Sequence, residues 1–255
     1  MHFLSSLKYR NRHLYFFGWY CLVAAGFSLL MSWTAPTEVL GISAWIKPFK
    51  FFISSAIFSW SMGWYMTYLQ EERKVRIFSW VVIIVLLFET SYIAIQGGRG
   101  ELSHFNNSNL FYAAMFGLMG LAITVMTLWT AYIGYLFFKK EITSIPAYYL
   151  WGIRLGIIIF VIFALQGGAM ARAAAHTVGA PDGGPGLPLV NWNTQFGDLR
   201  IAHFFGMHAL QIIPLVSFFL LKKTSLTLVF GILYFLLTTF LLVQAFMGIP
   251  LFSLA

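Results

Sequence analysis

The polar residues that could do chemistry are concentrated in one segment of an otherwise apolar chain, residues 197–215. They are Asp198, Arg200, His203, His208 and Gln211. Polar side chains at membrane depth are costly to bury, so they mark functional sites in membrane proteins. We expect this segment to be part of a membrane-spanning helix, interrupted at Pro214, that carries the main ligand-binding groups.

Metal binding is one chemistry that these histidines suggest. His203 and His208 are five positions apart, about 140° around a helix, whereas metal-binding helices normally place two histidines four positions apart. A zinc-dependent hydrolase would therefore need ligands from several segments, with an acid orienting a water molecule. The candidate metal ligands are His104, His203, His208, Asp198 and Glu89.

Binding of a redox cofactor is the second chemistry, and the one that we adopt as the main hypothesis. A histidine at membrane depth can ligate a b-type haem, nearby glycines can admit the flat ring, and basic residues can pair with the propionates. A quinone is the alternative redox ligand. The candidate cofactor-binding residues are His203, His208, His104, His176, Gln211, Arg99, Arg172, Arg200, Lys47 and Lys50. The sequence C-x-x-C-H does not occur, which excludes that form of covalent haem attachment.

Transport of protons or a small solute is the third interpretation. Intramembrane polar residues such as Glu89, Gln166 and Gln211 can build such a path. Against it, the inner halves of most predicted helices are purely apolar, so the sequence contains no continuous polar route. A non-catalytic assembly or lipid-binding role is also left open, and so is a homo-oligomer or membrane complex.

The composition establishes the class of protein. Of the 255 residues, 60% are hydrophobic and only 9% are charged, and the mean hydropathy is +0.79. Soluble globular proteins have about 25% charged residues. The chain is therefore predicted to be an all-α, polytopic membrane protein whose first partner is the lipid bilayer. The net charge of +8 lies in short clusters between apolar runs, which indicates membrane topology and no nucleic-acid partner.

Seven apolar runs are long enough to cross a hydrocarbon core of about 30 Å. The predicted spans are Leu14–Trp33, Lys47–Leu69, Arg76–Gly97, Leu110–Phe138, Ala147–Met170, Asp198–Leu221 and Ser225–Phe246. We expect residues 1–255 to form one transmembrane domain, with residues 177–197 as an outer capping loop.

The distribution of basic residues predicts the orientation. The amino terminus, residues 71–76, residues 139–140 and residues 222–223 are rich in Lys and Arg, and they alternate with loops that are poorer in them. The positive-inside rule then places the amino terminus in the cytoplasm and the carboxyl terminus outside.

A partial internal repeat accompanies this topology. Residues 94–98 match residues 164–168 at an offset of 70, and Phe116-Gly117 matches Phe205-Gly206 at an offset of 89. The third and fourth predicted helices are therefore interpreted as one copy, and the fifth and sixth as a second copy of the same orientation.

One face of the third predicted helix is also polar. Its residues are Glu89, Tyr92, Gln96, Arg99 and Ser103, at the i, i+3, i+7 spacing of a single helical face. Such a face is expected to look into the helix bundle.

The segments DGGPGLP, residues 182–188, and GDLRIAHFFGMHALQ, residues 197–211, resemble those of a family of bacterial multi-pass membrane proteins. The resemblance covers under a quarter of the chain. It implies a bacterial inner (plasma) membrane as the location and implies no particular activity.

Overall fold

The structure is a computed structural model that describes residues 3–252, and it is all-α, with 74% of residues in helices. The helices in the described residues are α1 Phe3–Arg10, α2 Arg12–Thr34, α3 Ile46–Tyr65, α4 Glu72–Gly98, α5 Leu110–Lys139, α6 Ala147–Ala173, α7 Leu199–Val216 and α8 Thr224–Phe246. A 3-10 turn, Met66–Leu69, follows α3, and a π-helical turn, Ser217–Leu221, extends α7.

Two short antiparallel strand pairs lie between the helices. Strand β1, Glu38–Val39, pairs with β2, Ile42–Ser43, between α2 and α3. Strand β3, Thr177–Val178, pairs with β4, Gly197–Asp198, between α6 and α7. The second pair closes the long loop that precedes α7.

Within residues 3–252, six helices are long and apolar enough to cross a membrane: α2, α4, α5, α6, α7 with its π-helical turn, and α8. The prediction of a multi-pass helical membrane protein is therefore confirmed. Helix α3 is not among them, because Lys47, Lys50 and several serines lower the hydropathy of its 20 residues. The predicted count of seven spans stays a prediction.

The chain divides into two compact units, Met1–Met126 and Thr127–Ala255, and the boundary lies within α5. In the first unit α2 packs along α3, and α3 packs on α4. In the second unit α6 packs along α7, and α8 contacts both. The prediction of a single transmembrane domain stays a prediction.

The helices α2, α3 and α4 are joined by polar contacts as well as by packing. Asn11 caps α2, since its Oδ1 accepts the N–H of Leu14 at 3.0 Å, while its Nδ2 donates to Ser79 Oγ of α4 at 2.8 Å. Trp60 of α3 donates its indole N–H to the Tyr15 carbonyl at 3.2 Å. Asn11 lies between α1 and α2. From the sequence, the residues before the first span were predicted only as a basic amino terminus, without a separate helix.

Glycines allow α6 and α7 to approach closely. A Cβ atom on Gly156 of α6 would lie 2.9 Å from the Ala209 carbonyl oxygen and 3.3 Å from Pro214 Cδ. Small residues at such positions let membrane helices pack backbone to backbone. One buried core cluster of this unit contains Ile159, Phe163, Ile201, Ala202, Ala209, Ile213, Tyr234 and Leu241. This packing holds both halves of α7 against α6.

Candidate functional site

His203 lies on α7 and is oriented by the backbone of α6. Its Nδ1 lies 2.7 Å from the Phe163 carbonyl oxygen, which can only accept, so Nδ1 carries the proton and donates it. In the neutral ring Nε2 then has the lone pair, and within residues 3–252 it makes no hydrogen bond. The ring lies beside Gly167, where a Cβ atom would be 3.1 Å from His203 Cε1. A ligand-binding histidine is held in this way.

His208 has different partners, as the five-residue spacing predicts for a regular helix. Its Nδ1 lies 3.3 Å from Gln211 Oε1, one turn further along α7. Its ring centre is 4.4 Å from that of Phe204, nearly edge to face. His208 is half-buried, and its contacts lie on its own helix.

Asp198 and Arg200 form a structural pair at the start of α7. The fully buried Asp198 caps the helix, because its Oδ1 accepts the N–H of Arg200 at 3.0 Å. Its Oδ2 accepts the N–H of Asn193 at 2.8 Å, and the Arg200 guanidinium donates to both carboxylate oxygens. Arg200 also donates to the Asn191 carbonyl at 2.5 Å. Both side chains therefore anchor the preceding loop to α7.

The loop of residues 177–197 is held by its own hydrogen bonds and by aromatic packing. Asn193 Oδ1 accepts the N–H groups of Gln195 at 2.9 Å and Phe196 at 2.8 Å. The Trp192 ring packs against Phe204 and Phe205, with ring centres 5.5 and 6.1 Å apart. The loop therefore covers the first turns of α7.

His176, directly before this loop, and Asp182 within it form a second polar pair. His176 Nδ1 donates to Asp182 Oδ2 at 2.6 Å, and Asp182 Oδ1 accepts the N–H of Thr177 at 2.9 Å. Burial alone raises the pKa of the Asp182 carboxyl, but the hydrogen bond and charge of His176, together with Thr177, outweigh it and hold that pKa well below its usual value. His176 also interacts electrostatically with His203. Arg172 is exposed near the end of α6.

Gln166 on α6 has a buried side-chain amide, and the candidate list from the sequence omitted this residue. Both polar atoms of its side chain are buried, and neither has a hydrogen-bond partner among residues 3–252. A buried amide without a hydrogen-bond partner costs about 1–3 kcal/mol, and such groups are normally satisfied by a ligand or an ordered water. Gln166 immediately precedes Gly167, which lies against the His203 ring.

The first unit has its own buried polar cluster on α4. Glu89, Tyr92 and Gln96 are 3%, 7% and 1% exposed, and Glu89 interacts with the charge of Lys47 on α3. The Tyr92 hydroxyl has no hydrogen-bond partner in the described part of the chain. The predicted polar face is shorter than expected, because α4 ends at Gly98 and Arg99 is exposed.

His104 lies in the loop between α4 and α5 and is surrounded by aromatic rings. Its ring centre is 5.9 Å from that of Phe51, 5.8 Å from Phe116 and 6.2 Å from Phe105. Ser103 Oγ lies 3.1 Å from its Nδ1. Arg99 donates to the Tyr112 hydroxyl oxygen at 3.1 Å, and Lys50 is half-buried on α3. The three phenylalanines therefore form an aromatic cluster around His104 in the first unit.

The predicted metal ligands are divided between the units. His104 and Glu89 belong to the first unit, and His203, His208 and Asp198 to the second. Among residues 3–252, no group of three or more His, Cys, Asp or Glu side chains is placed to hold a metal ion. The zinc hypothesis stays an untested prediction.

Comparisons with protein-family models, with curated proteins and with solved structures find no match.

Proposed function

We propose that this protein is a multi-pass protein of a bacterial inner membrane that binds a redox cofactor, a quinone or a b-type haem, through His203. The observation that carries the proposal is the 2.7 Å hydrogen bond from His203 Nδ1 to the Phe163 carbonyl. It directs the lone pair of the neutral ring to Nε2, the atom that can ligate iron or accept a hydrogen bond.

The buried amide of Gln166 favours a quinone over a haem as the bound cofactor. A quinone carbonyl can accept from the Gln166 amide nitrogen, which is buried and has no partner within residues 3–252. The reduced form, a quinol, can donate its hydroxyl proton to His203 Nε2. A haem would use Nε2 as an iron ligand, and Arg172 would be the candidate partner for a propionate.

The proposal includes the full predicted architecture of seven spans. Helix α3 is 20 residues long, about 30 Å, which is sufficient to cross the hydrocarbon core. The basic clusters support a cytoplasmic amino terminus and an outer carboxyl terminus, which puts the loop of residues 177–197 outside and His203 in the outer leaflet.

The duplication stays a prediction. The matched segments support it, but the corresponding glycines differ in their surroundings. A Cβ atom on Gly117 would meet nothing within 4 Å, whereas one on Gly206 would overlap Phe163. If there are two copies, the second has become the more closely packed.

Proton or solute transport is the second candidate function. The charge interaction between the buried Glu89 and Lys47 favours it, because buried ionisable groups often mark ion pathways. A flux assay in proteoliposomes that compares the wild type with Glu89→Gln distinguishes this role from cofactor binding.

The proposal is tested with matched histidine variants. The wild type, His203→Ala and His208→Ala are purified in mild detergent, and haem and extracted quinone are quantified per chain. We expect His203→Ala to lose at least tenfold in cofactor retention and His208→Ala to lose much less, since loss of a ligand or of its support typically costs 10–100-fold. Equal retention in the wild type and His203→Ala would overturn the proposal.

A Gln166→Leu variant separates the two cofactors. It replaces an amide that has no partner in the described chain with an apolar side chain of similar size. For a bound quinone we expect weaker retention, because the carbonyl loses its donor. For a bound haem we expect unchanged retention and an unchanged spectrum.

A further inference from the structure

An open groove lies between residues 12–20 of α2 and residues 80–83 of α4, within the first unit. Its volume is about 490 Å³. Arg12 and His13 supply its polar lining, and Phe16, Phe17, Tyr20 and Trp80 supply aromatic walls. The polar residues come first in α2 and the aromatic residues follow, so one end of the groove is charged and the rest is apolar.

The charged end of the groove is positive. The Arg12 guanidinium lies 5.6 Å from the centre of the Phe16 ring, and Lys8 Nζ lies 5.7 Å from the same ring. No carboxylate occurs in the chain before Glu38, and the groove lining in the described part of the chain includes none. An anion placed here therefore meets two cations and no acidic side chain of the lining.

The walls of the groove are large and exposed. Phe16 is 48% exposed, Tyr20 43% and Trp80 47%, and the His13 ring lies 5.1 Å from the Trp80 ring. Exposed aromatic rings at the end of a spanning helix are typical of the membrane interface. An acyl chain can lie along such a surface and bury it.

The position of the groove along α2 indicates where its occupant comes from. Helix α2 is a candidate span of 23 residues, about 34 Å, which matches the hydrocarbon core, and Arg12 is its first residue. Arg12 is therefore at headgroup level when α2 crosses the bilayer. At that level the anions next to an apolar groove are lipid phosphates.

We propose that this groove binds one anionic phospholipid, with its phosphate group at Arg12 and Lys8 and an acyl chain against Phe16, Tyr20 and Trp80. The two cations favour a lipid with a net negative charge over a zwitterionic lipid, whose headgroup carries no net charge. The site is independent of His203, which lies in the other unit.

Native mass spectrometry of the full chain, delipidated in detergent, tests the site. The probes are phosphatidylglycerol and phosphatidylcholine with identical acyl chains. We expect one phosphatidylglycerol to bind at least fivefold more tightly than phosphatidylcholine. Arg12→Gln should reduce phosphatidylglycerol binding about fivefold and reduce phosphatidylcholine binding less, since each Lys or Arg near an anionic lipid contributes about that factor. Lys223→Gln, an exposed lysine of the second unit, is the matched control and should change neither.

Two further measurements sharpen the outcome. Trp80→Ala should weaken the binding of both lipids, because it removes an apolar wall, and millimolar inorganic phosphate should not displace the lipid. Equal binding of the two lipids, or wild-type preference in both Arg12→Gln and Lys8→Gln, overturns the proposal. Arg12 and Lys8 are both exposed, so neither substitution is expected to disturb folding, and a thermal unfolding scan checks this.

Discussion

Replacement of Gly156 by alanine should separate α6 from α7. The added Cβ atom would lie 2.9 Å from the Ala209 carbonyl oxygen, 3.2 Å from Leu210 Cα and 3.3 Å from Pro214 Cδ. These atoms belong to backbone or to a proline ring and cannot rotate away, so the helices must move apart by a few tenths of an ångström. Overpacking of this kind costs about 1–3 kcal/mol.

Gly168 provides a matched control in the same helix. A Cβ atom at Gly168 would meet nothing within 4 Å. Both substitutions gain the same helix propensity, about 1 kcal/mol for alanine over glycine, so this contribution cancels when the two variants are compared. The difference in the free energy of unfolding should therefore be the packing cost, about 1–3 kcal/mol, with Gly156→Ala the less stable.

Thermal unfolding in detergent measures the difference. For chains of this size 1 kcal/mol corresponds to about 2–4 °C in Tm, so Gly156→Ala should unfold about 2–12 °C below Gly168→Ala. Equal Tm values for the two variants would refute the close α6–α7 packing on which the orientation of His203 depends.

Three further predictions concern the polar contacts of the second unit. Asp198→Ala should destabilise the loop before α7 by about 1–3 kcal/mol, because the buried N–H of Asn193 and the partly buried N–H of Arg200 lose their acceptor. The measurement is limited proteolysis, in which residues 177–197 should be cleaved faster than in the wild type. The pKa of Asp182 is lowered by folding, so its interaction with His176 stabilises the loop above the unfolded pKa of about 3.9 and is lost as the pH falls below it. The protection factors for amide hydrogen exchange in that loop should fall in acid in the wild type. In Asp182→Asn the protection factors should not depend on pH in this way. Arg154 caps α5, because it donates to the Phe137 carbonyl at 3.0 and 2.8 Å. Arg154→Met should therefore lower Tm more than Arg154→Lys, which keeps a positive charge near the end of the helix. Equal Tm values for the two variants would contradict that role.

The predicted spans begin and end within four residues of the helices when the turns that extend α3 and α7 are included. Backbone groups in lipid must be satisfied within the helix, so a long apolar run has few alternatives. The amphipathic α1 and the lower hydropathy of α3 lie outside this rule. Asn11, which lies between α1 and α2, makes a tertiary hydrogen bond to Ser79 of α4 that the sequence does not reveal.

The site was harder to predict, because residue type does not reveal which polar groups are already satisfied. Asp198 was a candidate metal ligand, yet it caps α7 and binds Arg200. An Asp directly before an apolar run is a known N-cap signal and could have indicated this role. Gln166 illustrates the opposite case, since its lack of a partner among residues 3–252 is visible only in the structure.

The polar face of α4 illustrates a related limit. Helical spacing grouped Arg99 and Ser103 with Glu89, but the helix ends at Gly98, so the face ends there as well. The glycine pair at residues 97–98 was a signal for this end, because glycine is frequent where helices stop.

The redox content of the wild-type protein tests the central claim most directly. The protein is purified in mild detergent, its absorption spectrum is recorded oxidised and then reduced with dithionite, and extracted quinone is quantified on the same sample. The proposal predicts about one redox group per chain, seen either as a Soret band that sharpens on reduction or as extractable quinone. A colourless preparation without quinone would contradict it and favour transport or assembly, with His203 serving the packing of α6 and α7.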